Sequence, residues 1–141
     1  MGSVATPTRP VVADTHILVW YLQDEPRLSD AARVALDDAT SVGDPIFISA
    51  ASVVELGYLF EKGGIGEADY RSYCLVLEKS GGIFEVAPMD MGVAAAVESV
   101  PRDCVPDPFD RMIGATAVAL GLPLVTADRK LRGLSALKTI W

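Results

Sequence analysis

Short, continuously apolar runs alternate with longer helical stretches from one end of the chain to the other, and this alternation constrains the fold more than any other feature. A strand buried on both faces reads as an unbroken apolar run, and such strands separated by helices build a parallel sheet covered on each side. Residues 10–14, 45–48, 83–87 and 123–126 are runs of this kind, and 137–141 reads as a fifth, edge strand. The spacing predicts helices over 15–22, 30–39, 50–62, 67–79, 89–100 and 108–120. Ser29 and Ser49 are expected caps, glycine pairs at 63–64 and 81–82 are expected stops, and Pro108 and Gly121 bracket the last helix. The expected fold class is α/β, with a mostly parallel sheet of four to five strands and helices on both faces.

Size and composition narrow the reading further. At 141 residues with half of them hydrophobic, the chain makes one domain with a sizeable core. Residues 10–141 are assigned to that domain and 1–9 to a flexible N-terminal tail. Met1, Gly2 and Thr6 match a loose lipidation pattern, read as coincidental because no second membrane signal accompanies it. No apolar run reaches the roughly 18 residues of a membrane span, and no secretory signal opens the sequence. Cys74 and Cys104 have no metal-ligand spacing and are read as ordinary buried thiols in a reducing, cytoplasmic setting. A formal net charge of −7 excludes binding of nucleic acid through overall charge. A chain of this balance that acts on nucleic acid needs metal ions or a local basic patch.

Four acidic residues fall on one edge of the expected sheet. In a parallel sheet the crossover helices start where the strands end, and open α/β sheets bind ligands at that edge. Asp14 closes the first strand, Asp110 lies in the first turn of a helix, and Asp128 follows the fourth strand. Glu55 starts roughly 9 Å down its helix at ~1.5 Å per residue. Helical side chains lean back toward the N-terminus, so the longer Glu returns to the edge. Each acid alone has a plain explanation in helix capping or turn formation, Asp107 and Asp110 above all. Together they would repel and raise one another's pKa unless a cation lay between them. Oxygen ligands without His or Cys clusters point to a hard ion, Mg²⁺ or Mn²⁺, rather than Zn²⁺.

These residues resemble the PIN-domain ribonucleases, and within them the VapC-type toxins of bacterial type II toxin–antitoxin pairs. Four blocks carry the resemblance, in the family's order: 12–20 with Asp14, Thr15, His16 and Trp20; 48–55 with Ser49, Ser52 and Glu55; 107–117 with Asp107, Pro108 and Asp110; and 122–131 with Thr126 and Asp128. The resemblance implies a PIN-like three-layer sandwich and a Mg²⁺- or Mn²⁺-dependent endoribonuclease. It makes Asp14, Glu55, Asp110 and Asp128 the catalytic and metal-binding quartet, with Asp107 and Thr126 assisting. It also implies a homodimer, a cognate antitoxin that covers the acidic groove, and structured RNA such as transfer RNA as substrate. Water activated by the ion would attack phosphorus and leave a 3′-hydroxyl and a 5′-phosphate, with Glu55 or Asp128 orienting the nucleophile.

Several neighbours are weighed with the quartet. Arg111, Arg129, Lys130 and Arg132 flank the acidic edge and are candidate RNA-backbone contacts, or else ordinary solvated surface. Thr15 is an expected helix cap and auxiliary hydroxyl. His16 is expected to be a hydrogen-bonded structural side chain rather than a general base. Trp20, Tyr21, Tyr58 and Phe60 have spacings of a core or oligomer contact, with base stacking open to an exposed one. Two rivals remain. A phosphotransfer domain also has acids at this sheet edge, but Asp14-Thr15-His16 supplies no second carboxylate beside the first. A catalytically silent binding module of the same fold would be favoured by loss of a quartet member, and none is lost.

Overall fold

The computed structural model describes residues 10–141, so the tail expected over 1–9 and its lipidation pattern lie outside the described residues. The elements run β1 (Val11–Ala13), α1 (Thr15–Leu22), α2 (Asp30–Ser41), β2 (Ile46–Ser49), α3 (Ala50–Glu61), α4 (Glu67–Glu78), β3 (Phe84–Ala87), α5 (Met91–Ala96), α6 (Pro108–Leu120), β4 (Leu124–Val125), α7 (Arg129–Arg132) and β5 (Thr139–Ile140). The strands form one sheet in the order β3-β2-β1-β4-β5, and every neighbouring pair is parallel.

Alternation along the central strands divides the core into two layers. Val11 and Ala13 of β1 and Val125 of β4 pack with Ile17, Leu18, Leu36, Leu56 and Tyr73 on one face of the sheet. Val12 and Leu124 point to the other face and pack with Val100, Ile113, Ala117 and Leu131. Both faces are therefore covered by helices, as continuously apolar strands require. Gly114 sits within this second layer. A Cβ there would stand 3.2 Å from both Leu131 and Val100, so the missing side chain lets α7 and the segment after α5 close onto α6.

Two elements depart from the expected ones. The helix predicted over 89–100 ends as α5 at Ala96 and tightens into a single 3-10 turn at Val97–Ser99. β-branched Val97 and the approach of Pro101 favour that early ending. The stretch after β4 holds α7, a one-turn helix capped by Asp128, whose Oδ1 accepts from the amides of Lys130 and Leu131 at 2.8 and 3.0 Å. A single turn leaves no hydrophobic period to read in the sequence. Gly121 ends α6 in the left-handed region with φ +66°, the conformation that a C-terminal glycine stop provides.

Strands β2 and β3 lie to one side of β1, while β4 and β5 lie to the other. The chain thus reverses direction across the sheet between β1 and β4. A crevice opens outside the carboxyl ends of strands at such a switch point.

Candidate active site

The crevice is built where β1 and β4 end. Ala13 pairs with Val125, and the Asp14 amide donates to the Val125 carbonyl at 3.0 Å, so the register sets Asp14 beside Thr126. Asp14 is 6% exposed, and both carboxylate oxygens are engaged. Oδ1 accepts from the Thr15 amide at 2.8 Å and Oδ2 from the Thr126 hydroxyl at 2.7 Å. Thr126 Oγ1 in turn accepts from the Asp128 amide at 3.0 Å. One hydroxyl thereby ties the end of β1 to the start of α7.

Asp14, not Thr15, caps α1, which corrects the expected cap. Thr15 is fully buried, and its hydroxyl donates to Ser52 Oγ at 2.8 Å. It faces the protein rather than a substrate. Ser52 stands one turn before Glu55 on α3, so Thr15 links α1 to the face of α3 that carries Glu55. Ser49 caps α3 as expected, accepting from the Ala51 amide at 3.1 Å, and also accepts from the Thr116 hydroxyl of α6 at 3.0 Å.

The buried polar side chains among the described residues are Asp14, Thr15, Ser49, Ser52, Thr116 and Thr126. All of them belong to this linkage behind the crevice. Sequence reading passed over the roles of Ser52 and Thr116. The available signal was a hydroxyl residue interrupting an otherwise apolar helix face.

Asp107 caps α6 and accepts from the Asp110 amide at 3.0 Å, while Pro108 opens the helix. Asp110 then stands half-buried in the first turn, with its pKa pushed up to about 7. Burial is the largest cause, followed by repulsion from Asp14, Asp107, Asp128 and Glu55. Burial also raises Asp14 and Glu55, which feel neighbouring carboxylates as well. The other three members of the expected quartet and Asp107 thus lie within electrostatic range of Asp110. Among the described residues, none of the three ion pairs involves these five acids. Nor, among the described residues, does any group of three or more His, Cys, Asp or Glu side chains stand close enough as placed to hold a metal ion. The five acids share one edge of the sheet as an open, all-oxygen rim. Their all-oxygen chemistry, their shortage of cationic partners and the raised Asp110 pKa fit a hard divalent ion held directly or through water.

The candidate cations separate into two kinds. Arg111 is taken up inside the fold, its Nε donating to the Val100 carbonyl at 2.7 Å and a terminal nitrogen to Val97 at 3.3 Å. It satisfies the end of the 3-10 turn, which corrects its expected role as a free RNA contact. Arg129, Lys130 and Arg132 on α7 are exposed and form no ion pair among the described residues. His16 is exposed and forms no hydrogen bond through its ring among the described residues, unlike the hydrogen-bonded structural side chain expected, and it acts electrostatically on both Asp14 and Glu55. Cys104 is exposed and Cys74 half-buried, both as free thiols, so neither is the buried cysteine expected. Tyr58 is 48% exposed with its ring edge-to-face against Phe109, and Phe60 stacks on Tyr70.

Comparison with known proteins agrees with this architecture. The family model described as "PIN domain" matches residues 11–137. The chain is 35% identical over 123 residues to "Ribonuclease VapC22" of Mycobacterium tuberculosis (strain ATCC 25618 / H37Rv), covering 86% of this chain and 89% of that protein. Among solved structures it resembles VapBC2 from Rickettsia felis bound to a promoter DNA fragment, with TM-score 0.68, 19% identity and coverage of 92% and 96%. DNA-bound VapBC from Salmonella typhimurium gives TM-score 0.65 and 20% identity, covering 93% of this chain and 96% of the other. FitAcB from Neisseria gonorrhoeae gives 0.61 and 20%, covering 92% and 95%. At those identities the solved structures speak for the fold. The near-complete family match, on a chain with this sheet order and this acidic crevice, carries the conclusion that the chain belongs to the PIN domain family.

Proposed function

We propose that this chain is a divalent-metal-dependent endoribonuclease and the toxin of a toxin–antitoxin pair. One observation carries the reading. Five carboxylates from four separated stretches share the edge of the sheet at its switch point, with the exposed His16 beside them, and burial together with repulsion from the other four pushes Asp110 up to about 7. The 35% identity to a protein named a ribonuclease and the likeness to VapBC assemblies support the activity and a cognate antitoxin partner. No described helix is long and apolar enough to cross a membrane.

Asp14 and Asp110 would hold the principal ion, with Glu55 and Asp128 completing the set directly or through water. Mg²⁺ and Mn²⁺ both suit these oxygens; when bound, such an ion supplies Lewis acidity toward water and toward the phosphate charge. The chain's own residues do the positioning. Thr126 fixes the rotamer of Asp14, and Thr15 ties α1 to α3 through Ser52, one turn before Glu55. Asp107 holds the start of α6 so that Asp110 faces the crevice. Glu55 or Asp128 accepts a proton from the attacking water. Arg129, Lys130 and Arg132 hold the RNA backbone, and cleavage leaves a 3′-hydroxyl and a 5′-phosphate. A structured RNA such as transfer RNA is the expected substrate, and a homodimer the expected assembly.

Incubation of the purified protein with RNA in Mg²⁺, Mn²⁺ or chelator tests this directly. Cleavage is expected with either ion and not in chelator. Persistence in chelator would remove the metal mechanism, and inert protein with every ion would favour a silent binding module.

A further inference from the structure

Helix α1 begins one residue after Asp14, and its first side chain directed to solvent is His16; Thr15, Ile17 and Leu18 around it are buried. An exposed imidazole on the lip of an anionic crevice buries little and caps nothing. It is nonetheless held in place. Its ring centroid lies 6.0 Å from that of Trp20, one turn further along α1, with the planes inclined at 58°. Trp20 lies 6.0 Å from Trp141, inclined at 46°. The Arg27 guanidinium carbon stands 5.0 Å from the Trp20 ring centroid. Trp20 and Trp141 also pack against the core layer, which anchors the row. Four side chains from three stretches of chain thus form a continuous aromatic and cationic row, with His16 at the end nearest Asp14 and Glu55.

We propose that His16, backed by Trp20 and braced by Arg27 and Trp141, is the stacking ledge for the nucleobase next to the scissile phosphate of a single-stranded RNA segment. The inference rests on the ribonuclease reading and adds to it a substrate-positioning residue. A phosphodiester reaching Asp14 and Asp110 carries its flanking base to the lip of the crevice, within reach of the ring. Imidazole offers every base the same flat face, so the ledge contributes affinity with little sequence preference. The exposed cations of α7 have the complementary task at the backbone. Arg27 and Trp20 do not touch RNA in this scheme; they keep the imidazole from turning away, as positioning residues.

The sequence supplies its own probe. The chain's two tryptophans are Trp20 and Trp141, so its indole emission comes wholly from this row. Titration with a hydrolysis-resistant phosphorothioate oligoribonucleotide in Mg²⁺ should quench that emission, and His16→Ala should remove most of the quench. In cleavage assays His16→Ala should raise KM about tenfold, in line with the loss of one stacked base, with a much smaller change in kcat. His16→Phe should restore KM and His16→Leu should not. Active protein whose emission ignores the oligonucleotide, or a His16→Ala variant with an unchanged KM, overturns the ledge while leaving the ribonuclease reading in place. Quenching by a cognate antitoxin but not by the oligonucleotide also overturns it, and assigns the row to the protein partner. Wild-type protein that cleaves no RNA with either ion overturns both.

Discussion

Thr126 serves two groups with one hydroxyl, donating to Asp14 Oδ2 and accepting from the Asp128 amide. Thr126→Val keeps the shape but removes both bonds. A hydrogen bond to a buried charge is worth more than a neutral one, so the change should cost about 2 kcal/mol in denaturant unfolding. It should also depress cleavage by freeing the Asp14 rotamer. Asp14→Asn has the opposite stability effect. Burial already disfavours the Asp14 carboxylate, and an amide oxygen still accepts from the Thr15 amide. Thermal melting in chelator should therefore show a variant at least as stable as the wild type, and RNA assays one without activity. Full activity in Asp14→Asn would remove Asp14 from the site. At this scale the acids were legible because a charge directly after an apolar strand interrupts a clear pattern. The linkage behind them was not, because Thr15 and Ser52 lie 37 positions apart in the sequence and meet only once the chain between them has folded.

The elements show which local signals survive folding. Strand positions followed from apolar runs, and α6 from a proline at its start and a glycine at its end. The 3-10 turn at Val97–Ser99 and the one-turn α7 were hidden, since each is shorter than a helical period can report. Arg111 was misread for a related reason. Its partners are carbonyls exposed by that same turn, so its engagement depends on a bend the sequence does not announce. The three cations of α7 form no ion pair among the described residues, and they make a test at this scale. Replacing Arg129, Lys130 and Arg132 together with Gln should weaken RNA binding and flatten its dependence on log salt by about 2, at ~0.7 per phosphate contact. Filter binding at several ionic strengths measures that slope. Asp107→Ala should destabilise α6 by about 1 kcal/mol through the lost cap, whereas Asp107→Asn should not.

Across the whole molecule, the crevice couples folding to protons. Asp14, Glu55 and Asp110 all have folded-state pKa values raised from their ordinary values, Asp110 to about 7. Between about pH 4 and pH 7 the folded protein holds protons that the unfolded chain has released, so stability falls as pH rises through that window. Melting temperature in chelator should therefore decline from about pH 5 to about pH 8, and Asp110→Asn should flatten the decline. Added Mg²⁺ should stabilise most at the alkaline end, where the carboxylates are free to bind it. The switch point itself was legible as an edge where acids gather, but the strand order that locates it was not, because local sequence says nothing about which strands become neighbours. One further consequence lies in the caps. Asp14, Asp107 and Asp128 each begin a helix by accepting backbone amides, so the groups that punctuate the fold are also ones the proposed site would use. Aspartate and asparagine codons differ by a single base, and asparagine begins helices equally well. With the proposed site, one nucleotide change should disarm such a chain while sparing its shape, an easy genetic route to a harmless copy that still engages whatever recognises its surface.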